Sequence, residues 1–168
     1  VGIEIAKNIV LSGCKKFVLH DTKLATYYDL SSQFFLGEND IGVNRAEASL
    51  KKLQQLNYYV KTMSSTKELP LKESELDTFG LKDFNTVILC DNDYDTIKAV
   101  DAYCRKRNIN VIVVNIMGGF ARMVNDFGEN FIVNDKDGED AKECMVKEIT
   151  SEANSVVTVL DGTRHDFV

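Results

Sequence analysis

Two residues near the start of the chain have the type and spacing to grip a nucleotide. Gly2 opens Val1-Gly2-Ile3-Glu4-Ile5-Ala6-Lys7-Asn8-Ile9-Val10-Leu11, which reads as a helix from its first residue, and Asp21 closes an apolar strand, Lys16-Phe17-Val18-Leu19-His20. Helix, strand and then an acid form the back half of a nucleotide-binding βαβ unit. In such a unit a glycine turn lets backbone approach phosphates, and the acid bonds a ribose hydroxyl. The front strand and most of its glycine turn are not in the sequence, so the chain reads as a fragment with Gly2 as the one glycine left from that turn. Each residue also has a plainer reading: Gly2 as a packing glycine, Asp21 as the cap of the following turn. No nucleophile competes with this chemistry. The two histidines, His20 and His165, stand far apart with no Ser–His–Asp order. Cys14, Cys90, Cys104 and Cys144 are scattered, which excludes a C-x-x-C zinc site and suits the reduced thiols of a cytosolic or nuclear protein.

Elements that would position these residues follow from periodicity. Ile3, Ile5, Ala6, Ile9 and Val10 give a helical stripe over 2–12, stopped at Gly13. Residues 16–20 are a strand, and 22–42 a loop with short helical turns. Asn44 is set to cap a helix running to about Leu56, with Glu47 as capping-box partner and Ala46, Leu50, Leu53 and Leu56 at helical spacing. Tyr58–Met63 reads as the next strand. Residues 64–84, with the single proline Pro70, read as a loop holding one short helix. Thr86–Cys90 and Asn110–Asn115 are continuous apolar runs of the kind buried parallel strands show. The helix predicted between them, Asp95–Arg107, turns Ile97, Val100, Ala102 and Tyr103 inward. After Gly118 the texture changes to short strands near 119–125, 131–133 and 155–160, with Asp-Gly turns at 137–138 and 161–162.

The fold class is therefore α/β: a Rossmann-like, mostly parallel sheet with flanking helices over residues 1–130, then a small, truncated β module over 131–168. With strand order 3-2-1-4 the missing first strand is central. Strands 16–20 and 86–90 each lose a neighbour, and the chain alone is expected to unfold, aggregate or swap strands. The 168 residues are 44 % apolar and carry a formal charge of −6 without a basic stretch, which argues against nucleic acid and against an anionic membrane surface. No apolar run approaches the ~20 residues that span a bilayer.

Four segments carry a resemblance: Gly2-Ile3-Glu4-Ile5-Ala6-Lys7-Asn8; Asp29-Leu30-Ser31-Ser32-Gln33-Phe34-Phe35-Leu36; Asp40-Ile41-Gly42-Val43-Asn44-Arg45-Ala46-Glu47; and Val156-Val157-Thr158-Val159-Leu160-Asp161 with Arg164-His165. In this order they resemble the N-terminal, inactive adenylation half of the ubiquitin-activating enzymes, which have a MoeB/ThiF-like fold. The resemblance implies two such halves about a pseudo-twofold, only the second of which binds ATP. Residues 1–130 look like the inactive half. Residues from about 131 look like the start of the inserted first catalytic-cysteine half-domain. The parent would be a ligase of the cytoplasm and nucleus that uses Mg-ATP to adenylate the C-terminus of ubiquitin, holds it as a thioester and passes it to ubiquitin-conjugating enzymes. This stretch would contribute no catalytic residue and bind no cofactor. It would serve as a scaffold against the active adenylation half.

The same resemblance makes Gly2, Asp21, Arg45 and Asp91 a vestigial nucleotide site. Ser32 stands where the active pattern has a phosphate-directed arginine, Asp29 where it has asparagine, and Thr96 where a second arginine closes the metal motif. Arg45 stands where a family lysine meets ATP, although an arginine on a first helical turn is more often simply exposed. Asp91 stands where the metal-binding aspartate would be, but the preferred reading makes it the cap of helix 95–107. Losing one charged phosphate contact and adding a repulsion costs several kcal/mol, roughly two such contacts. Phe34, Phe35 and Leu36, three large apolar residues in a loop, are candidates for the contact between halves or else ordinary core. Two other readings share these features: an NAD(P)-binding Rossmann oxidoreductase, which Gly2 and Asp21 would serve equally well, and a stand-alone regulatory subunit of a SUMO- or Nedd-type activator, which lacks the β insertion.

Overall fold

A computed structural model describes residues 1–138 and 145–160. The chain divides into two units, Val1–Phe131 and Ile132–Val168.

In the first unit, α1 (Gly2–Leu11) buries Ala6 and Val10 and ends at Gly13, whose φ is +82°. β1 (Lys16–His20) pairs in parallel with β2 (Lys61–Ser65), in register from Lys16 with Lys61 to His20 with Ser65. Between them lie two 3-10 turns, Asp29–Ser31 and Glu38–Asp40, and α2 (Arg45–Leu56). The Asn44 side chain accepts from the amides of Ala46 and Glu47 and satisfies two of the donors a helix start leaves open. Ala6, Phe35 and Leu53 form the core between α1, α2 and β1, with Ile3, Phe17, Leu19 and Leu56 packed on it.

Then come α3 (Glu73–Phe79), β3 (Thr86–Cys90), α4 (Tyr94–Arg105), β4 (Asn110–Met117) and β5 (Phe120–Asp126). Gly80 ends α3 at φ +95°, a left-handed conformation that a side chain would strain. β3 and β4 are parallel, and β5 returns antiparallel through a two-residue turn, Gly118-Gly119, with Met117 opposite Phe120. Leu76, Leu89, Val100, Tyr103, Cys104, Val111 and Val113 make the larger core under α3 and α4. Burial of one such aliphatic side chain contributes about 1.5–3 kcal/mol. Among the described residues β1 pairs only with β2, and β3 only with β4; no ladder joins β1 to β3.

The second unit holds β6 (Val146–Ile149) and β7 (Val157–Val159), paired antiparallel with an irregularity between Val146 and Glu148. Their described neighbours are almost all exposed. The turn expected at Asp161-Gly162, the Arg164-His165 pair and Cys144 lie outside the described residues.

Several expected boundaries shift. The strand read at Tyr58–Met63 begins at Lys61, because the Asn57 side chain accepts from the Tyr59 amide and Val60 N–H bonds back to Asn57, closing a turn that leaves Tyr58 and Tyr59 exposed. Residues 131–133 form no strand; the Phe131 ring packs on Phe127 at 4.7 Å instead. The strand near 119–125 belongs to the main sheet as β5. Among the described residues no helix is long and apolar enough to cross a membrane.

Candidate functional site

The carboxyl end of β1 runs straight into Asp21. Its N–H bonds to the Ser65 carbonyl at 3.1 Å and prolongs the β1–β2 ladder by one residue. Asn44 ties this point to the start of α2, since its side-chain NH2 donates to the Asp21 carbonyl at 2.8 Å while its oxygen caps the helix. A short bridge between Leu24 and Asn44, with Arg45 N–H on the Lys23 carbonyl, fixes the same corner. Arg45 therefore leaves the first turn of α2 directly over Asp21.

Its guanidinium is engaged on both sides. Nε donates to Asp21 Oδ2 at 2.9 Å and the NH2 group lies 2.8 Å from the same oxygen. NH1 donates to Asp29 Oδ1 at 2.9 Å. Asp29 begins a 3-10 turn, and its other oxygen accepts from the Thr26 amide and the Thr26 hydroxyl at 2.8 and 2.7 Å. Asp21 Oδ1 accepts from Lys23 N–H at 2.9 Å. The Asp29 side chain is 16 % exposed and that of Arg45 29 %, so the pair is half-buried. The Thr26 hydroxyl, the Thr26 amide and Arg45 together hold the Asp29 carboxyl below its ordinary range against the opposing effect of burial. Burial pulls the Arg45 pKa down, but the bonds and charges of Asp29 and Asp21 outweigh it and leave it raised. One cation and two anions give the cluster a formal charge of −1.

Three residues singled out separately in the sequence, Asp21, Asp29 and Arg45, are thus brought into one cluster. The others stand apart from it. Gly2 lies against Cys90: a Cβ built on it would come 3.6 Å from Cys90 Sγ, an ordinary contact, so nothing there demands glycine. Asp91 is not the helix cap. It adopts φ +53°, its N–H bonds to the Val114 carbonyl, and its carboxylate accepts from Ile116 N–H at 2.7 Å, which clamps β4 beyond the end of β3. The cap of α4 is Asp93, which accepts from the Thr96 amide and hydroxyl at 2.9 and 2.8 Å. Thr96, where the pattern's arginine would be, is spent on that cap.

The apolar triplet does not act as a unit. Phe35 and Leu36 are buried in this domain, 5 % and 8 % exposed, and only Phe34, 87 % exposed, faces out. The cause is local: the Gln33 side chain donates to Ser49 and accepts from Phe35 N–H, and Lys52 donates to the Phe35 carbonyl, which presses the loop onto α2. Phe35 and Leu36 take the core alternative, and Phe34 alone remains a surface candidate. Burial raises the Cys90 thiol, and the Asp91 charge adds to it; burial likewise pushes Cys104 up to about 11. Neither carries thiolate near neutral pH. Among the described residues no cluster of three or more His, Cys, Asp or Glu could hold a metal ion.

Sequence reasoning had noted Asp29 only as an added charge, not as the partner of Arg45, and it missed a second network altogether. There the Tyr103 hydroxyl donates to Asp77 at 2.7 Å, and the Arg107 guanidinium lies 3.9 Å from the Tyr103 ring centroid and pairs with both Asp77 and Glu73.

The ThiF family matches the chain over residues 1–164. The chain is 41 % identical over 167 residues to the human "Ubiquitin-like modifier-activating enzyme 1", and 38 % identical over 173 residues to "Ubiquitin-activating enzyme E1 1" of Schizosaccharomyces pombe. These alignments cover 99 % and 100 % of the chain but only 15 % and 16 % of the two relatives. Among solved structures, E. coli MccB with selenomethionine MccA superposes with a TM-score of 0.60 at 19 % identity, covering 69 % of this chain and 34 % of that one. PaaA superposes at 0.57 and 17 % identity over 65 % of this chain and 32 % of that one. At such identities the structural likeness is one of fold.

Proposed function

The chain belongs to the ThiF family, and from that premise we propose that it is a non-catalytic scaffold stretch of a ubiquitin-activating enzyme. The parent would be a cytoplasmic and nuclear enzyme that spends Mg-ATP to adenylate the ubiquitin C-terminus and hold it as a thioester for ubiquitin-conjugating enzymes. The identity with such enzymes along nearly the whole chain supports this reading. Residues 1–130 would pack on the active adenylation half, with Phe34 as one contact, and residues from 131 would open the inserted β domain.

One observation carries the non-catalytic part: the cation at the carboxyl end of β1 already has two internal carboxylate partners. A triphosphate needs charged donors free to meet it. Arg45 is paired, Ser32 is neutral, Thr96 serves a helix cap and Asp91 serves a strand amide. These residues do not fit Mg-ATP, so no step through it is assigned to them. Asp21 Oδ2 is taken up by Arg45, while Oδ1 accepts a single bond, from Lys23 N–H.

Calorimetric titration of the chain with Mg-ATP, and separately with NAD, tests the reading once protected β3 and β4 amides in a monomer show that the sample is folded. Neither is expected to bind. An ATP dissociation constant below about 10 μM, roughly −7 kcal/mol, sinks the scaffold proposal, and a comparable NAD constant favours the oxidoreductase reading instead.

A further inference from the structure

We infer that the last turns of α2 and the first residues of β2 form a docking groove for an acidic peptide of a partner protein. None of its residues belongs to the Arg45 corner, and the groove stands whether or not the scaffold reading does. It also lies at the amino end of β2, whereas open α/β sheets take their nucleotides at the carboxyl ends of the strands.

A cavity of about 400 Å3 lies there, between Lys51, Gln54 and Tyr58 on one side and Val60, Lys61 and Thr62 on the other. No Asp or Glu lines it, in a chain whose formal charge is −6. Neither Lys51 nor Lys61 forms an ion pair among the described residues. The wall is thus locally positive, with both cations open to an incoming acid.

Thr62 supplies the sharper sign. It is 6 % exposed, and its Oγ1 is the one buried side-chain polar atom without a hydrogen-bond partner among the described residues. Such an atom is costly unless something meets it. Its backbone is poised in the same way. Lys61 N–H bonds to the Lys15 carbonyl and the Ser65 carbonyl accepts from Asp21 N–H, so alternation turns the N–H and carbonyl of Thr62 away from β1. No second strand pairs with β2 among the described residues. Gln54 donates to the Thr62 carbonyl at 3.2 Å, which masks the acceptor on this edge and leaves the Thr62 N–H open. An amide, a hydroxyl and two ammonium groups can all donate, and that set matches carboxylates.

The turn before β2 selects a peptide over a free anion. The Asn57 side chain donates to the Val10 carbonyl and accepts from Tyr59 N–H, and Val60 N–H bonds back to Asn57. Held by this turn, Tyr58 and Tyr59 stand 84 % and 97 % exposed beside the lysines. Tyrosine offers large contact area at low conformational cost, which suits apolar side chains placed between the acids of a peptide.

The test titrates the 168-residue chain, its β3 and β4 amides protected, with the blocked peptide Glu-Leu-Glu-Leu-Glu and follows the backbone amide resonances. The Tyr58, Lys61 and Thr62 amides are expected to shift together and saturate, with weaker binding as salt is raised. Glutamine in place of each glutamate of the peptide is expected to weaken binding at least about tenfold, and so is Lys51→Gln combined with Lys61→Gln in the chain. Thr62→Val removes the orphan hydroxyl and keeps its shape. It is expected to raise Tm and yet weaken the peptide about fivefold, a pairing that an idle hydroxyl would not give. A glutamine peptide that binds as well, or a lysine double variant that binds as tightly as the parent, overturns the inference. So does a folded Thr62→Val with undiminished affinity; should that variant not fold, the lysine pair decides. Acetate or inorganic phosphate that shifts the same amides as strongly as the peptide means a small-anion site only and overturns the peptide assignment.

Discussion

Replacing Tyr103 by phenylalanine should destabilise the chain by an amount that depends on pH at both ends of the scale. Tyr103 is 2 % exposed, its ring lies in the larger core, and its hydroxyl reaches Asp77 at 2.7 Å. Phenylalanine keeps the ring and the Arg107 stack and loses only the hydroxyl. One such hydrogen bond contributes about 1 kcal/mol, which lowers Tm by about 3–5 °C in a domain of this size.

The signs follow from linkage. Burial, with the Asp77 bond second, pushes the Tyr103 pKa up to about 12. The folded state therefore keeps its proton where the unfolded chain, titrating near 10, loses it. The stability this provides is fully present below pH 10 and drains away as pH rises toward 12. The Tyr103 hydroxyl is also the foremost cause that holds the Asp77 carboxyl below its ordinary range, with Arg107 and Lys82 assisting and burial opposing. That contribution is present above the unfolded carboxyl value near 4 and fades as pH falls through the lowered one. The gap between the parent and Tyr103→Phe should thus be widest between about pH 5 and 9 and narrow on either side. Urea unfolding at pH 3, 7 and 10.5 measures it. A gap of the same size at all three values would falsify the assigned bond.

Two further outcomes are expected. Asn44→Ala should cost about 1–2 kcal/mol in urea unfolding, since the cap of α2 and the tie to the Asp21 carbonyl go together, and it should speed exchange of the Arg45 Nε–H; a change below about 0.3 kcal/mol contradicts the double role. In hydrogen exchange, the Val18 and His20 amides, which alternation turns away from β2, should exchange at least about tenfold faster than Val113, whose strand is paired on both sides; equal protection means that another segment pairs with β1.

How far the sequence was legible depends on how local each interaction is. The apolar stripes of α1 and α2, the runs of β3 and β4 and the Asn44 cap are set within a turn or two, and periodicity reads them. Tyr58 and Tyr59 mislead because aromatic residues favour strands, yet Asn57 turns the chain before they can pair. The stretch Asp91-Asn92-Asp93-Tyr94-Asp95-Thr96 offers three acids ahead of one helix. The choice falls on Asp93 because Thr96, three residues on, returns a hydroxyl to it, while Asp91 swings to a left-handed φ and meets β4. The Arg45 clamp joins residues 16 and 24 positions apart through a loop without period, and no spacing announces it. Gln33 buries Phe35 by the same kind of remote contact, with Ser49.

The clamp also bears on why Arg45 can persist in a chain proposed to hold no nucleotide. An arginine half-enclosed at a strand end is costly without an anion, since its charge has lost part of its water. Here Asp29 provides it from within, and Thr26 and Lys23 satisfy the oxygens that the arginine does not. The corner that joins β1, the loop and α2 is then rigid without a ligand, as a scaffold requires. On the proposed reading, stability and the loss of binding have a common physical origin: the carboxylate that stabilises Arg45 is the charge that would repel phosphate from it.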